Sequence, residues 1–199
     1  MLNERLTEDE LIYQLNDSQS DVLLVDRLDR SLMYGNRISF NQVTGASNKR
    51  FQIDAEWPKD RTITIMYTSG TTGKPKGVRQ TLENHVMSAT GSALNLGVQP
   101  NDCWLCAMPL FHISGFSILM RSVLYGMTVS LHTKFDAYKS IEEILNGTVT
   151  RMSVVAVTLE RLISVLEERN LTFPDTFQSM LVGGGPVPLH YLERAIKCK

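Results

Sequence analysis

The spacing of apolar residues changes several times along the chain, and each change marks an element. Thr7-Glu8-Asp9-Glu10 has the form of a capping box and leads into Leu11, Ile12 and Leu15 at helical spacing. Val22-Leu23-Leu24-Val25 then reads as a short buried strand. Over 26–59 the pattern is weak, with scattered Asn, Gly and Ser and a Trp57-Pro58 break, so an irregular connection between two lobes is predicted. Beyond it the pattern becomes regular. A strand over 62–67 meets a glycine-rich loop, and a helix over 82–96 follows. Next come strand 104–108, helix 114–125, strand 128–131, helix 138–145, strand 152–157, helix 159–169, strand 180–182 and a helix beginning near Pro188. Strands alternating with helices predict an α/β fold of mixed or parallel sheets covered by helices, because parallel neighbours need a crossover that buries the sheet face.

Composition narrows the class of partner. The 199 residues carry 20 Lys+Arg against 21 Asp+Glu, a net charge of -1, with 43% hydrophobic and 21% charged residues. That is ordinary globular composition without a basic face, so nucleic acid and an acidic membrane are not expected partners. The least polar stretch, 103–131, is cut by Pro109, His112, Gly115 and Gly126 into pieces too short to span a bilayer. The N-terminus lacks the basic and apolar regions of a signal peptide, and a cytoplasmic location is the expectation. Three cysteines give no disulfide framework, and Cys103-Trp104-Leu105-Cys106, despite its CxxC spacing, reads as two thiols on a core strand. No metal-ligating set is assigned. His85, His132 and His190 stand without partners at ligand spacing and read as surface or packing residues.

The glycine-rich loop carries the chemistry. Thr68-Ser69-Gly70-Thr71-Thr72-Gly73-Lys74-Pro75-Lys76-Gly77 places four hydroxyls, three glycines and two lysines directly after a strand. Glycines let the backbone approach an anion and turn successive N–H groups toward it, hydroxyls add donors, and a lysine supplies charge: a polyphosphate grip. Walker A spacing does not fit, because Pro75 and Lys76 stand where that motif needs its Ser or Thr. A serine hydrolase built on Ser69 or Ser114 is set aside, since no Gly-x-Ser-x-Gly elbow exists.

This loop resembles the signature of the AMP-forming acyl-CoA synthetase, or adenylate-forming, superfamily at all its fixed positions. Pro109-Leu110-Phe111-His112 is similar to the second core motif of that superfamily, and Gly183-Gly184-Gly185-Pro186 to its adenine-side loop. Within it, these segments with Arg121-Ser122-Val123 and Lys134-Phe135-Asp136-Ala137 most resemble the 2-succinylbenzoate-CoA ligases of menaquinone biosynthesis. The resemblance implies a carboxylate substrate, Mg²⁺-ATP, and coenzyme A as co-substrate. It implies that Thr68, Ser69, Gly70, Thr71, Thr72, Gly73 and Lys76 hold the phosphates, with Thr72 and Lys76 in the catalytic step. Gly183, Gly184, Gly185 and Pro186 would lie against adenine, and His112, Ser114 and Gly115 at the acyl pocket. On spacing alone, the last glycine run reads equally as a plain strand-to-helix turn. Arg121 reads as an anchor for helix 114–125.

Several superfamily features have no counterpart here: the aromatic-Gly-x-Thr-Glu segment, the ribose-holding acid, the hinge and the mobile C-terminal domain with its lysine. The expectation is therefore an internal fragment of the large N-terminal domain. Residues 1–59 would be the remnant of a first α/β subdomain plus linker, and 60–199 a truncated ATP-binding subdomain. Alone it is expected not to turn over, and its truncated edges are expected to invite aggregation or homo-oligomers. The alternatives are a non-catalytic nucleotide-binding remnant, or a ligase core for another fatty or aromatic acid.

Overall fold

A computed structural model describes residues 1–26, 32, 34–45, 56–68 and 73–199. It divides into two compact units, Met1–Asn84 and His85–Lys199. The division expected at 59–60 falls inside the first unit.

In the first unit, α1 (Glu8–Asp17) begins with the expected box: Thr7 Oγ1 accepts from the Glu10 amide, and Glu10 Oε2 accepts from the Thr7 amide at 2.8 Å. β1 (Leu23–Val25) pairs in parallel with β2 (Arg37–Ser39), and α2 (Phe40–Thr44) follows at once, started by a second reciprocal box between Ser39 and Gln42. The stretch read as irregular connection thus holds two elements in its described part. Their three- and five-residue lengths fall below what periodicity can register. β3 (Thr62–Thr68) pairs antiparallel with β4 (Lys76–Thr81), and residues 68–77 form the connection and its two arms. β4 corrects the expected direct passage from loop to helix. Lys76-Gly77-Val78-Arg79-Gln80-Thr81 has one large apolar residue, and its pairing comes from the β3 backbone rather than from side-chain alternation.

The second unit holds most of α3 (Leu82–Leu96), then β5 (Cys103–Cys106), α4 (Ile113–Tyr125), β6 (Thr128–Leu131), α5 (Ala137–Leu145), β7 (Arg151–Val154), α6 (Ala156–Glu168), β8 (Ser179–Val182) and α7 (Leu189–Lys197). Its four strands form one parallel sheet in the order β6-β5-β7-β8. All four residues of β5 are buried. Cys103 and Leu105 join Met152, Val154 and the apolar stripes of α5 and α6, whereas Trp104 and Cys106 join Ile118 of α4. Alternate residues of one strand thus feed two cores, as a strand covered on both faces requires. The expected strands 104–108 and 152–157 end earlier, at Cys106 and Val154. In the second case the Thr158 hydroxyl accepts from the Val155 amide at 2.9 Å, which opens α6 inside an apolar run that reads as strand.

At the opposite, amino end of this sheet, Arg151 and Asp102 form a buried ion pair, Nε to Oδ2 at 2.9 Å. The guanidinium also donates to the Leu96 carbonyl, Ser179 Oγ and Gln178 Oε1, while Asp102 accepts from Thr150 Oγ1 and the Gln99 amide. The two charges are therefore satisfied on several sides, the condition under which a buried pair is tolerated.

Candidate functional site

In the first unit, the predicted phosphate loop leaves β3 at Thr68 and re-enters β4 at Lys76, and these two residues are register partners. Ser69, Gly70, Thr71 and Thr72 lie outside the described residues. Gly73 has φ +95°, a conformation that favours glycine, with open space where a side chain would stand. Lys74 and Lys76 are both exposed. Lys74 Nζ sits over the Tyr13 ring at 5.6 Å from its centroid. Gly77 is needed for a different reason: a Cβ there would lie 3.1 Å from the Tyr67 ring and 3.0 Å from Ile65 Cγ2. β4, and not a helix, follows the loop. Backbone N–H groups, hydroxyls and lysine are the donors this hairpin can offer.

In the second unit, parallel pairing brings the carboxyl ends of all four strands to one edge. The chain leaves β5 for β6 on one side and returns to β7 on the other. Such a reversal opens a crevice beyond the carboxyl ends, where α/β sheets bind ligands. At the same edge, beyond β7 and β8 rather than at the β5–β7 reversal, a cavity of about 200 Å³ is lined by Val155, Ala156, Val157, Gly183, Gly184, Gly185 and Pro186. Gly184 has φ +86°, and a Cβ on it would lie 3.1 Å from Val155 Cγ1, so conformation and clearance both call for glycine. Gly183 and Gly185 have nothing within 4 Å of their Cβ positions. The wall is thus bare backbone, with room for a flat group to lie against it. The part played by residues 155–157 has no motif in the sequence; only the strand order reveals it.

His112, Ser114 and Gly115 lie after β5 at the same edge but do not line this cavity. His112 is the N-cap of α4 without a side-chain cap bond, and its ring tilts against Phe111 at 4.6 Å. It is exposed, as is Ser114. Gly115 is buried, and a Cβ on it would stand 2.5 Å from the Pro109 carbonyl oxygen and 2.7 Å from that of Met108. This glycine lets α4 start directly against the preceding loop. Arg121 is buried with its guanidinium 4.8 Å from the Trp104 ring centroid, and burial pushes its pKa down. It anchors α4 on β5, and no carboxylate pairs with it among the described residues.

Several other titratable groups meet structural partners. His132 is buried with Nε2 3.0 Å from Glu143 Oε1, and Glu143 Oε2 accepts from Ser130 Oγ at 2.6 Å. The carboxylate partner of His132 was not foreseen, because eleven residues separate them across a strand-to-helix turn. His85 packs on Phe116 and His190 on Tyr191. All three cysteines are free and buried, and burial pushes their thiols up, which suits core residues. No helix among the described residues is long and apolar enough to cross a membrane.

The chain is 49% identical over 196 residues to a 2-succinylbenzoate–CoA ligase of Geobacillus sp. (strain WCH70), a match covering 96% of this chain and 39% of that relative. It superposes with TM-score 0.89 and 44% identity on o-succinylbenzoate CoA synthetase from Bacillus subtilis in complex with the acyl-adenylate intermediate OSB-AMP, over 99% of this chain and 40% of that one. The same synthetase in complex with ATP and magnesium ion gives TM-score 0.88 at 43% identity, over 99% of this chain and 41% of that one. The chain thus spans about two fifths of the length of these relatives. Residues 1–198 match the family of AMP-binding enzymes, and with nearly the whole chain inside that match, the protein belongs to this family.

Proposed function

We propose that the chain is the nucleotide-binding part of an acid–CoA ligase whose substrate is 2-succinylbenzoate. The reaction has two steps. A carboxylate oxygen attacks the α-phosphorus of ATP, forming acyl-AMP as the bond to pyrophosphate breaks. The thiol of coenzyme A then attacks the acyl carbon, giving acyl-CoA and AMP with loss of the thiol proton. The observation that carries the reading is the bare glycine wall of the second unit, set at the carboxyl edge where such sheets bind nucleotides. The identity to ligases named for 2-succinylbenzoate supports the choice of acid.

Each residue has a physical task in this scheme. Residues 68–73 donate N–H and O–H groups to the β- and γ-phosphates, and Lys76 offsets the charge that grows as pyrophosphate leaves, with Thr72 assigned to the same step. Residues 183–186 leave room for the adenine plane. His112 and Ser114, exposed at the head of α4, offer donors to the acid, and Gly115 keeps that helix start close to the Pro109 carbonyl. Among the described residues no three His, Cys, Asp or Glu side chains stand together as a cation cage. Magnesium would arrive on the triphosphate, where it keeps phosphate and water ligands and neutralises charge.

The test is calorimetric titration of the chain with ATP, followed by pyrophosphate release with ATP, 2-succinylbenzoate and coenzyme A. ATP binding with pyrophosphate release only on addition of this acid supports the reading in full. Binding with no turnover supports a nucleotide-binding remnant, turnover with another fatty or aromatic acid overturns the substrate, and no binding overturns the reading.

A further inference from the structure

The family signature accounts for residues 68–77, but not for what holds them in place. Among the described residues β3 and β4 form a two-stranded sheet, and such a pair is marginally stable in water without a third support. Support comes from α1. Tyr13, Gln14 and Asp17 lie within one helical turn of each other, and each meets one arm of the loop. On the incoming arm, the Tyr67 hydroxyl, one residue before Thr68, donates to Asp17 Oδ2 at 2.7 Å and lies 3.1 Å from the Gln14 carbonyl oxygen. On the outgoing arm, the Tyr13 hydroxyl donates to the Pro75 carbonyl at 3.2 Å, and the Tyr13 ring carries Lys74. The two rings meet edge to face, 6.4 Å apart at 71°. Across the hairpin, Gly77 is the register partner of Tyr67 and leaves the space its ring occupies.

We propose that α1 is a positioning element for the phosphate loop, with Tyr13 tethering the Pro75 arm and Asp17 tethering the Tyr67 arm. The inference rests on reading residues 68–77 as a polyphosphate grip. Its physical content is preorganisation: arms fixed before the anion arrives leave less chain entropy to be lost on binding. The Tyr67 hydroxyl suits the task, because burial, then the hydrogen bond to Asp17 and its charge, push the phenol well above the usual tyrosine range and keep it a donor. It also assigns Lys74 a place on Tyr13, leaving Lys76 as the cation at the mouth of the hairpin. Tyr13, Gln14 and Asp17 touch no reacting group in this scheme, so they act through the loop.

Hydrogen exchange and tripolyphosphate titration of the 199-residue chain test it. Tyr13→Phe keeps the ring beneath Lys74 and removes only the hydroxyl, while Asp17→Ala removes the second tether and Asp17→Asn restores an acceptor. Expected are faster amide exchange over 73–77 in Tyr13→Phe and Asp17→Ala, unchanged exchange over β5 and β7, and tripolyphosphate binding weakened about two- to tenfold, the span of one net hydrogen bond. Asp17→Asn should recover most of the loss. Unchanged exchange over 73–77 in both variants overturns the proposal, and so does faster exchange with undiminished tripolyphosphate binding. If the unaltered chain does not bind tripolyphosphate, the polyphosphate reading itself fails, and the exchange comparison still decides whether α1 fixes the arms.

Discussion

Lys74 and Lys76 stand two positions apart in one loop, yet their surroundings differ. Lys74 rests on the face of Tyr13, whereas Lys76 is paired in register with Thr68 where the loop closes. Lys76→Ala should therefore weaken ATP binding by roughly ten- to hundredfold, the loss of a charge-assisted contact of about 1.5–3 kcal/mol. Lys74→Ala should cost less than about fivefold, since an exposed cation–π contact contributes only about 0.5–1 kcal/mol. Calorimetry on both variants checks the order, and equal losses would count against the loop assignment. Gly115 shows the same separation of packing from chemistry. With a carbonyl oxygen 2.5 Å from where its Cβ would stand, Gly115→Ala must push α4 off the preceding loop. The expected cost is about 1–3 kcal/mol, read as a lower urea midpoint. At this scale the loop was legible in the sequence because its ten chemical positions are contiguous. Tyr13 and Tyr67 were not, because nothing in residues 54 positions apart announces that their rings will meet.

Elements were legible where burial imposes a period. α5 and α6 show apolar stripes, and β5 is an unbroken buried run, so their existence followed from pattern. β4 escaped because backbone pairing alone makes it a strand, and the start of α6 escaped because one threonine hydroxyl overrides an apolar run. Polar pairs between elements escaped for the same reason as the tyrosines, and two of them make predictions. Asp102→Ala would strand the buried Arg151 guanidinium and should destabilise the second unit by roughly 3–5 kcal/mol in denaturant titration. Glu143 links α5 to β6. Burial would raise its pKa, but hydrogen bonds from Ser130 and His132, with the charges of His132 and Lys139, outweigh it and hold the carboxyl below its ordinary 4.5. A carboxyl lowered by folding contributes fully above its unfolded value, and that contribution fades as pH falls through the folded one. Melting temperatures of the chain should therefore drop as pH falls below about 4.5, and Glu143→Gln should flatten that part of the profile. A profile equally steep in the variant would show that other carboxylates govern the acid limb.

For the whole molecule, a net charge of -1 gives no long-range attraction for a polyanion. On the proposed reading, nucleotide binding rests on short-range donors and shape at the two loops, one in each compact unit. They differ in kind. Residues 68–77 offer hydroxyls, N–H groups and lysine, which suit phosphate, whereas residues 155–157 and 183–186 offer bare backbone and aliphatic walls, which suit a flat, weakly polar ring. Ligands carrying half of the nucleotide each should therefore sort between the units. Adenosine should slow amide exchange over 183–186 and leave 73–77 unaffected, while tripolyphosphate should do the reverse. Salt supplies a second discriminator: raising ionic strength should weaken tripolyphosphate binding and leave adenosine nearly unchanged, since only the former depends on charge. Protection of the glycine run by tripolyphosphate, or of the hairpin by adenosine, would exchange the two assignments and with them the roles of Lys76 and Gly184.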